Sequence, residues 1–182
     1  MDLRVITPPT VEPVTLTEAK AFLRVDGTAE DTLITSLIVA ARERGEELSR
    51  RAFITQTLEM TVDCLPRQRT LVLLRPPLQS VTSVTYRDYN GASAVWTDYR
   101  TDTNSQPGKI IFTSKPGVYL QESGAVTIRY VAGYGSAASA VPERIKNAIL
   151  QLVAQWYENR GATNEMPMSS KEAFLAERVV WF

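Results

Sequence analysis

The spacing of apolar positions changes along this chain, and the changes mark out its elements. In PVTLTEAKAFLRV, Leu16, Ala19, Phe22 and Leu23 fall on one face of a helix. Thr15 followed by Glu18 reads as a capping box, in which each side chain satisfies an orphan N–H of the first turn. This short helix is expected to stop near Val25–Gly27. The next run, AEDTLITSLIVAARERGEELSRR, predicts a longer helix. Leu33, Ile34, Leu37, Ile38, Ala41 and Leu48 hold the 3.6-residue period, while Arg42, Glu43, Glu46 and Glu47 fall mostly off that stripe. Glu30 or Asp31 suits its positive N-terminal end, and Arg50–Arg51 suit the negative end.

From about Ile54 the period becomes two. ITQTLEMTVD places Ile54, Leu58, Met60 and Val62 on one side, as a half-buried strand requires. Further strands are expected at 70–74, 81–89, 94–100, 109–113 and 125–131, where Thr, Val, Ile and Tyr dominate. Asn90–Gly91 signals a two-residue hairpin, which would set Tyr86 opposite Val95 and Val84 opposite Thr97. After the small-residue stretch AGYGSAASA, the helical period returns in VPERIKNAILQLVAQWYENRG. Ile145, Ala148, Ile149, Leu152, Val153, Trp156 and Tyr157 lie at offsets 0, 3, 4, 7, 8, 11 and 12. Pro142 suits the first helical position and Gly161 the left-handed stop. At roughly 1.5–3 kcal/mol per large side chain, this stripe buries on the order of ten kcal/mol, and the Leu33–Leu48 helix is its natural partner. Beyond Pro167, Ser169 and Glu172 read as a second capping box, opening a helix with Leu175, Val179 and Phe182 on one side.

The layout is α+β: a helical bundle of N- and C-terminal helices with an inserted antiparallel β module. Residues 1–53 and 141–168 form the bundle, 54–140 the β module, and 169–182 a C-terminal helix and tail. The expected bundle core is Leu33, Leu37, Ile38, Ile145, Ile149, Leu152 and Trp156.

Composition then narrows the chemistry. The 182 residues contain no histidine and one cysteine, Cys64. That excludes an imidazole base, a histidine metal site, an intrachain disulfide and a CxxC motif. Lys+Arg and Asp+Glu balance at twenty each. The β module carries eight basic and five acidic groups between residues 63 and 140, too small an excess for a nucleic-acid footprint. Tyr86, Arg87, Tyr89, Trp96, Tyr99 and Arg100 mix aromatic and basic groups on the hairpin; they fit single-stranded bases or, better, cross-strand packing. Cys64 reads as a buried or half-buried structural thiol, and Gly133–Gly135 as linker, since it lacks the Lys-Ser/Thr of a phosphate loop. The N-terminus has no apolar stretch of the kind a signal peptide needs, and no run approaches a membrane span. No enzyme, cofactor or metal is expected.

Two segments together resemble a known family. PVTLTEAKAFLRVDGTAEDTLITSLIVAARERGEELSRRAFITQTLE is similar to the N-terminal signature of phage head–tail connector (adaptor) proteins, with its L-x-E-A-K, L-R-V-D and A-A-R runs before an I-T-Q-T strand. VPERIKNAILQLVAQWYENR is similar to that family's C-terminal helix. Arg50–Arg51 depart from it, standing where relatives commonly have a glycine. The resemblance implies a dodecameric ring in the virion neck, made in the bacterial host cytoplasm. It would sit beneath the portal, extend the DNA channel and bind a stopper or tail protein below. In that setting Glu43, Glu46 and Glu47 are candidate channel-lining residues, past which DNA runs without specific binding. Phe174, Leu175, Val179, Val180, Trp181 and Phe182 are candidate portal-docking residues. The alternative is a nucleic-acid-binding DNA-packaging accessory protein.

Overall fold

The structure is a computed structural model that describes residues 1–114, 116–159 and 165–180. The chain forms two compact units, one of residues 1–8 with 55–133 and one of residues 9–54 with 134–182. The first unit is all β and the second is helical.

In the helical unit, α1 (Leu16–Leu23) opens on the expected capping box. The Thr15 N–H donates to Glu18 Oε2 at 2.7 Å, and the Glu18 N–H donates to Thr15 Oγ1 at 3.2 Å. These bonds, the backbone one foremost, hold the Glu18 carboxyl below its ordinary value of 4.5. The helix ends at Arg24, in the left-handed region at φ 57°. Helix α2 (Asp31–Ser49) follows, with Lys20 Nζ on Asp31 Oδ1 at 2.6 Å. Helix α3 (Glu143–Glu158) buries Ile145, Ala148, Ile149, Leu152 and Val153, the stripe the period predicts. Pro142 caps it from one position outside. Gly161 lies outside the described residues.

The α2 stripe is rotated from expectation. Ile34, Ile38, Ala41 and Gly45 face the core together with Arg42, Glu46 and Ser49, whereas Leu33 is 48% exposed. Apolar residues stand at both 33 and 34, so periodicity alone does not choose between them. The polar partners of Arg42 and Glu46 let the stripe run through charged positions. Of the other expected core residues, Ile38, Ile145, Ile149 and Leu152 are buried, and Leu37 and Trp156 pack half-buried against the cluster.

Helix α4 (Met168–Ala176) belongs to this same core. Its predicted Ser169–Glu172 capping box does not form: the helix is capped two residues earlier, at Pro167, and Ser169 Oγ donates to Gln151 Oε1 at 2.6 Å instead. Phe174 is fully buried and stacks on Phe53, with ring centroids 6.1 Å apart at 20°. Gly45 makes room for both rings. A Cβ there would lie 2.7 Å from Phe174 Cε1 and 2.8 Å from Phe53 Cε2.

The β unit consists of β1 (Asp2–Thr7), β2 (Gln56–Val62), β3 (Thr70–Val72), β4 (Leu78–Arg87), β5 (Ser93–Val95), β6 (Tyr99–Asp102), β7 (Lys109–Phe112) and β8 (Val126–Ala132). One antiparallel sheet has the order β1-β2-β8-β4-β5, the other β3-β7-β6. Alternation works as predicted in β2, where Leu58, Met60 and Val62 point inward along with Gln56; β8 shows the same pattern, with Val126, Ile128, Tyr130 and Ala132 buried. The buried Tyr130 hydroxyl donates to the Leu74 carbonyl at 2.7 Å, and burial pushes this phenol above its ordinary range.

Three expectations fail here. The strand predicted at 94–100 is two strands in different sheets, because the chain turns at Trp96. That ring lies 4.8 Å from Phe112 and edge-on to Tyr86 at 6.0 Å. The hairpin register is off by one: Tyr86 pairs with Ala94 and Thr85 with Val95. The Asp88 N–H donates to the Ala92 carbonyl, leaving three loop residues, of which only Gly91 has positive φ (85°). This is the type I turn with a left-handed third residue, not the two-residue turn. Finally, Cys64 is exposed rather than buried.

Two measurements test this packing. Gly45→Ala should lower stability by about 1–3 kcal/mol, the usual cost of overpacking, seen as a lower urea midpoint at unchanged slope. Glu18→Gln should destabilise at neutral pH. A carboxylate whose folded pKa is depressed contributes stability above its unfolded pKa and loses it as pH falls through the folded value. The gap between Glu18→Gln and the native chain should therefore narrow as pH is lowered below about 4.5, and a constant gap contradicts the capping role.

Candidate interaction surfaces

The three carboxylates expected to share a face do not. Glu46 is 3% exposed. Its Oε1 accepts the Phe53 N–H at 2.7 Å and its Oε2 accepts from Arg42 Nη1 at 3.3 Å. It closes the end of α2 onto the following chain and is not a lumen residue. Arg42, itself buried, also donates from Nε to Glu12 Oε2 at 2.7 Å and lies 3.5 Å from Glu43 Oε1. Desolvation works against its charge, but Glu12, Glu46 and Glu43 outweigh it and hold the guanidinium above its ordinary range. Glu43 and Glu47 have exposed side chains, Glu47 pairing with Arg44 at 2.6 Å.

The C-terminal candidates divide in the same way. Phe174 belongs to the helical core, and Val179 is buried with its N–H on the Ser49 carbonyl at 3.1 Å. Both are withdrawn from any docking surface, because the Gly45 notch gives Phe174 a place within its own chain. Glu177 fastens the turn after α4. It accepts from Arg144 Nη2 at 2.8 Å and from Tyr134 Oη at 3.5 Å, while its carbonyl accepts Arg51 Nε at 2.6 Å. Leu175 and Val180 remain exposed. Trp181 and Phe182 lie outside the described residues.

The turn out of α2 also explains Arg50. It sits at φ 57°, ψ 32°, the left-handed conformation that glycine adopts without strain. Elsewhere on the helical unit, Val11, Val14, Leu16, Ile38, Ala137 and Ala138 line a shallow, mostly apolar groove. Phe22 and Leu33 are exposed as well. The supposed base-stacking hairpin loses its central ring, since Trp96 is buried in the β unit. Among the described residues no group of three or more His, Cys, Asp or Glu side chains is placed to hold a metal ion, and no helix is long and apolar enough to cross a membrane. The polar clusters act on the fold itself, and what remains outside are apolar and charged patches.

The chain belongs to the head completion protein family, whose profile matches residues 12–169, and so to the structural proteins of the phage head–tail connection. Its fold is also that of solved chains from gene transfer agent (GTA) particles. A chain in the neck of the empty GTA particle, computed with C6 symmetry, superposes with TM-score 0.83 at 24% identity, over 100% of this chain and 97% of that one. A chain in the virion of the native GTA particle gives 0.83 at 23% with the same coverage. One in the native neck, computed with C12 symmetry, gives 0.75 at 23%, again over 100% and 97%. None of the curated proteins matches.

The two roles of the carboxylates separate on mutation. Glu46→Ala leaves the buried Phe53 N–H and part of Arg42 unmatched, and should cost about 3 kcal/mol in chemical denaturation. Glu43→Ala should change stability by less than about 0.5 kcal/mol, as an exposed position does.

Proposed function

We propose that this chain is a head–tail connector that closes as a dodecameric ring in the neck of a phage or phage-like particle, beneath the portal. There it extends the DNA channel, joins head to tail and meets a stopper or tail protein below. Its role is architectural rather than catalytic. The observation that carries this is the full-length fold correspondence with chains of the GTA neck, joined to membership of the head completion family. A closed ring of identical chains needs two different, complementary patches per subunit. The apolar groove with Phe22 and Leu33 supplies one of them.

DNA passes the ring without specific binding. Each basic contact to phosphate would add counterion-release affinity and hold the genome back. Glu43 and Glu47, exposed on α2, are the carboxylates left to face a lumen. Portal docking falls to the end of α4 and the chain beyond it, with Leu175, Val180, Trp181 and Phe182. The packaging-accessory alternative is weakened by the burial of Trp96.

A reconstruction of the assembled neck should show twelve copies of this chain, with Glu43 and Glu47 toward the axis; six or fewer copies overturn the ring. The double variant Leu175→Asp, Val180→Asp should stay folded, because both side chains are exposed, yet leave filled heads without tails. Normal tailing by that variant overturns the docking role.

A further inference from the structure

The β unit carries a surface that its fold does not need. The β4–β5 loop and the chain at 117–122 are joined into one tip by backbone bonds. The Tyr89 N–H donates to the Tyr119 carbonyl at 2.9 Å, the Gln121 N–H to the Arg87 carbonyl at 3.2 Å, and Asp88 bridges Leu120. Between them lies an open cleft of about 670 Å³, whose lining includes Asp88, Tyr89, Val118, Tyr119 and Glu122. Tyr119 is 89% exposed, Tyr89 75% and Val118 46%. No hydrogen bond of either tyrosine hydroxyl or of the Glu122 carboxylate is formed among the described residues. Asp88, half-buried, uses Oδ1 to accept the Ala92 N–H at 2.8 Å.

Two large aromatic side chains held in water on a backbone-tied tip contribute nothing to the core. They are the residue type that dominates protein interfaces, with an apolar body and a polar end. The charge of the cleft states what it takes. Its described lining contains two carboxylates and no Lys or Arg. Tyrosine faces attract cations through the ring quadrupole, and carboxylates pair with guanidinium or ammonium groups. The Asp88 and Glu122 carboxylates of that lining would repel phosphate, which disfavours a nucleic-acid backbone.

We propose that this cleft is a docking site for an arginine- or lysine-bearing segment of a neighbouring protein. The basic side chain inserts between Tyr89 and Tyr119 and pairs with Glu122 or Asp88. The inference goes beyond the connector role and stands on the β unit alone, so it is testable whether or not the ring forms.

The test uses the full chain, isotope-labelled for NMR and titrated with an acetylated, amidated tetra-arginine peptide. The tetra-glutamate peptide serves as control. Amide signals of residues 88–91 and 117–122 should shift saturably with tetra-arginine and stay put with tetra-glutamate, and the affinity should fall as salt is added. Tyr119→Ala and Glu122→Lys should each weaken binding by about fivefold or more, while signals from the two sheets keep their positions. Non-saturable shifts, or wild-type affinity in both variants, overturn the proposal. Concentration-dependent self-association that Tyr119→Ala abolishes, with no peptide binding, assigns the cleft to a second copy of the chain and overturns it too.

Discussion

A missing methyl group organises the helical unit. Because Gly45 has no Cβ, Phe53 and Phe174 both reach the face of α2, with ring atoms inside the radius any other residue would occupy. Everything that follows α3 depends on that approach. With Phe174 seated, α4 lies on α2 and α3, Glu177 comes within reach of Arg144, Tyr134 and Arg51, and the Val179 N–H finds the carbonyl of Ser49. The C-terminal stretch is thereby tied to its own core as far as Val179.

The second organising feature is ionic. Arg42 and Glu46 lie on the buried stripe of α2, where an apolar pair would ordinarily sit. Removing two charges from water is expensive, and such a pair is weak evidence of net stabilisation. Its geometry suggests a different use. Glu46 accepts the N–H of Phe53, Arg42 reaches Glu12, and so one network fixes the residues before α1 and those after α2 against the same helix. A hydrophobic pair of equal volume would fill the space without specifying either connection.

What was legible in the sequence follows from this. Helices α1 and α3 were readable because a capping box and an uninterrupted apolar period are local signals. The face of α2 was not, since the choice between Leu33 and Ile34 depends on partners distant in sequence. Strands β2 and β8 announced themselves by alternation with one face buried, whereas β1 has almost no buried side chains and lies before two prolines, so it left no pattern to find. The hairpin was located but misregistered, because Asn-Gly is compatible with a loop one residue longer. Of the candidate site, Glu43 and Glu47 stayed on the surface while Glu46, Phe174 and Val179 did not. Acidic and aromatic residues near a helix end look alike in one dimension whether they face water or a notch. Gly45 itself was unremarked, since a lone helical glycine shows a packing role only once its neighbours are known.

The non-glycine residues with left-handed backbone, among those described, are Arg24, Arg50, Arg69 and Arg75. Each bears on the order of 1–2 kcal/mol of steric opposition between Cβ and backbone. Arginine and glycine codons differ by a single base, so relief is always one mutational step away at each of these sites. Arg69 offsets part of its cost by donating to the Thr113 carbonyl, and Arg75 is likewise engaged. Arg24 and Arg50 end helices α1 and α2, where glycine is the commonest left-handed stop. Lineages of this chain under heat or other selection for durability therefore have a short path to a tougher particle, and arginine-to-glycine drift at the two helix ends is where that path begins.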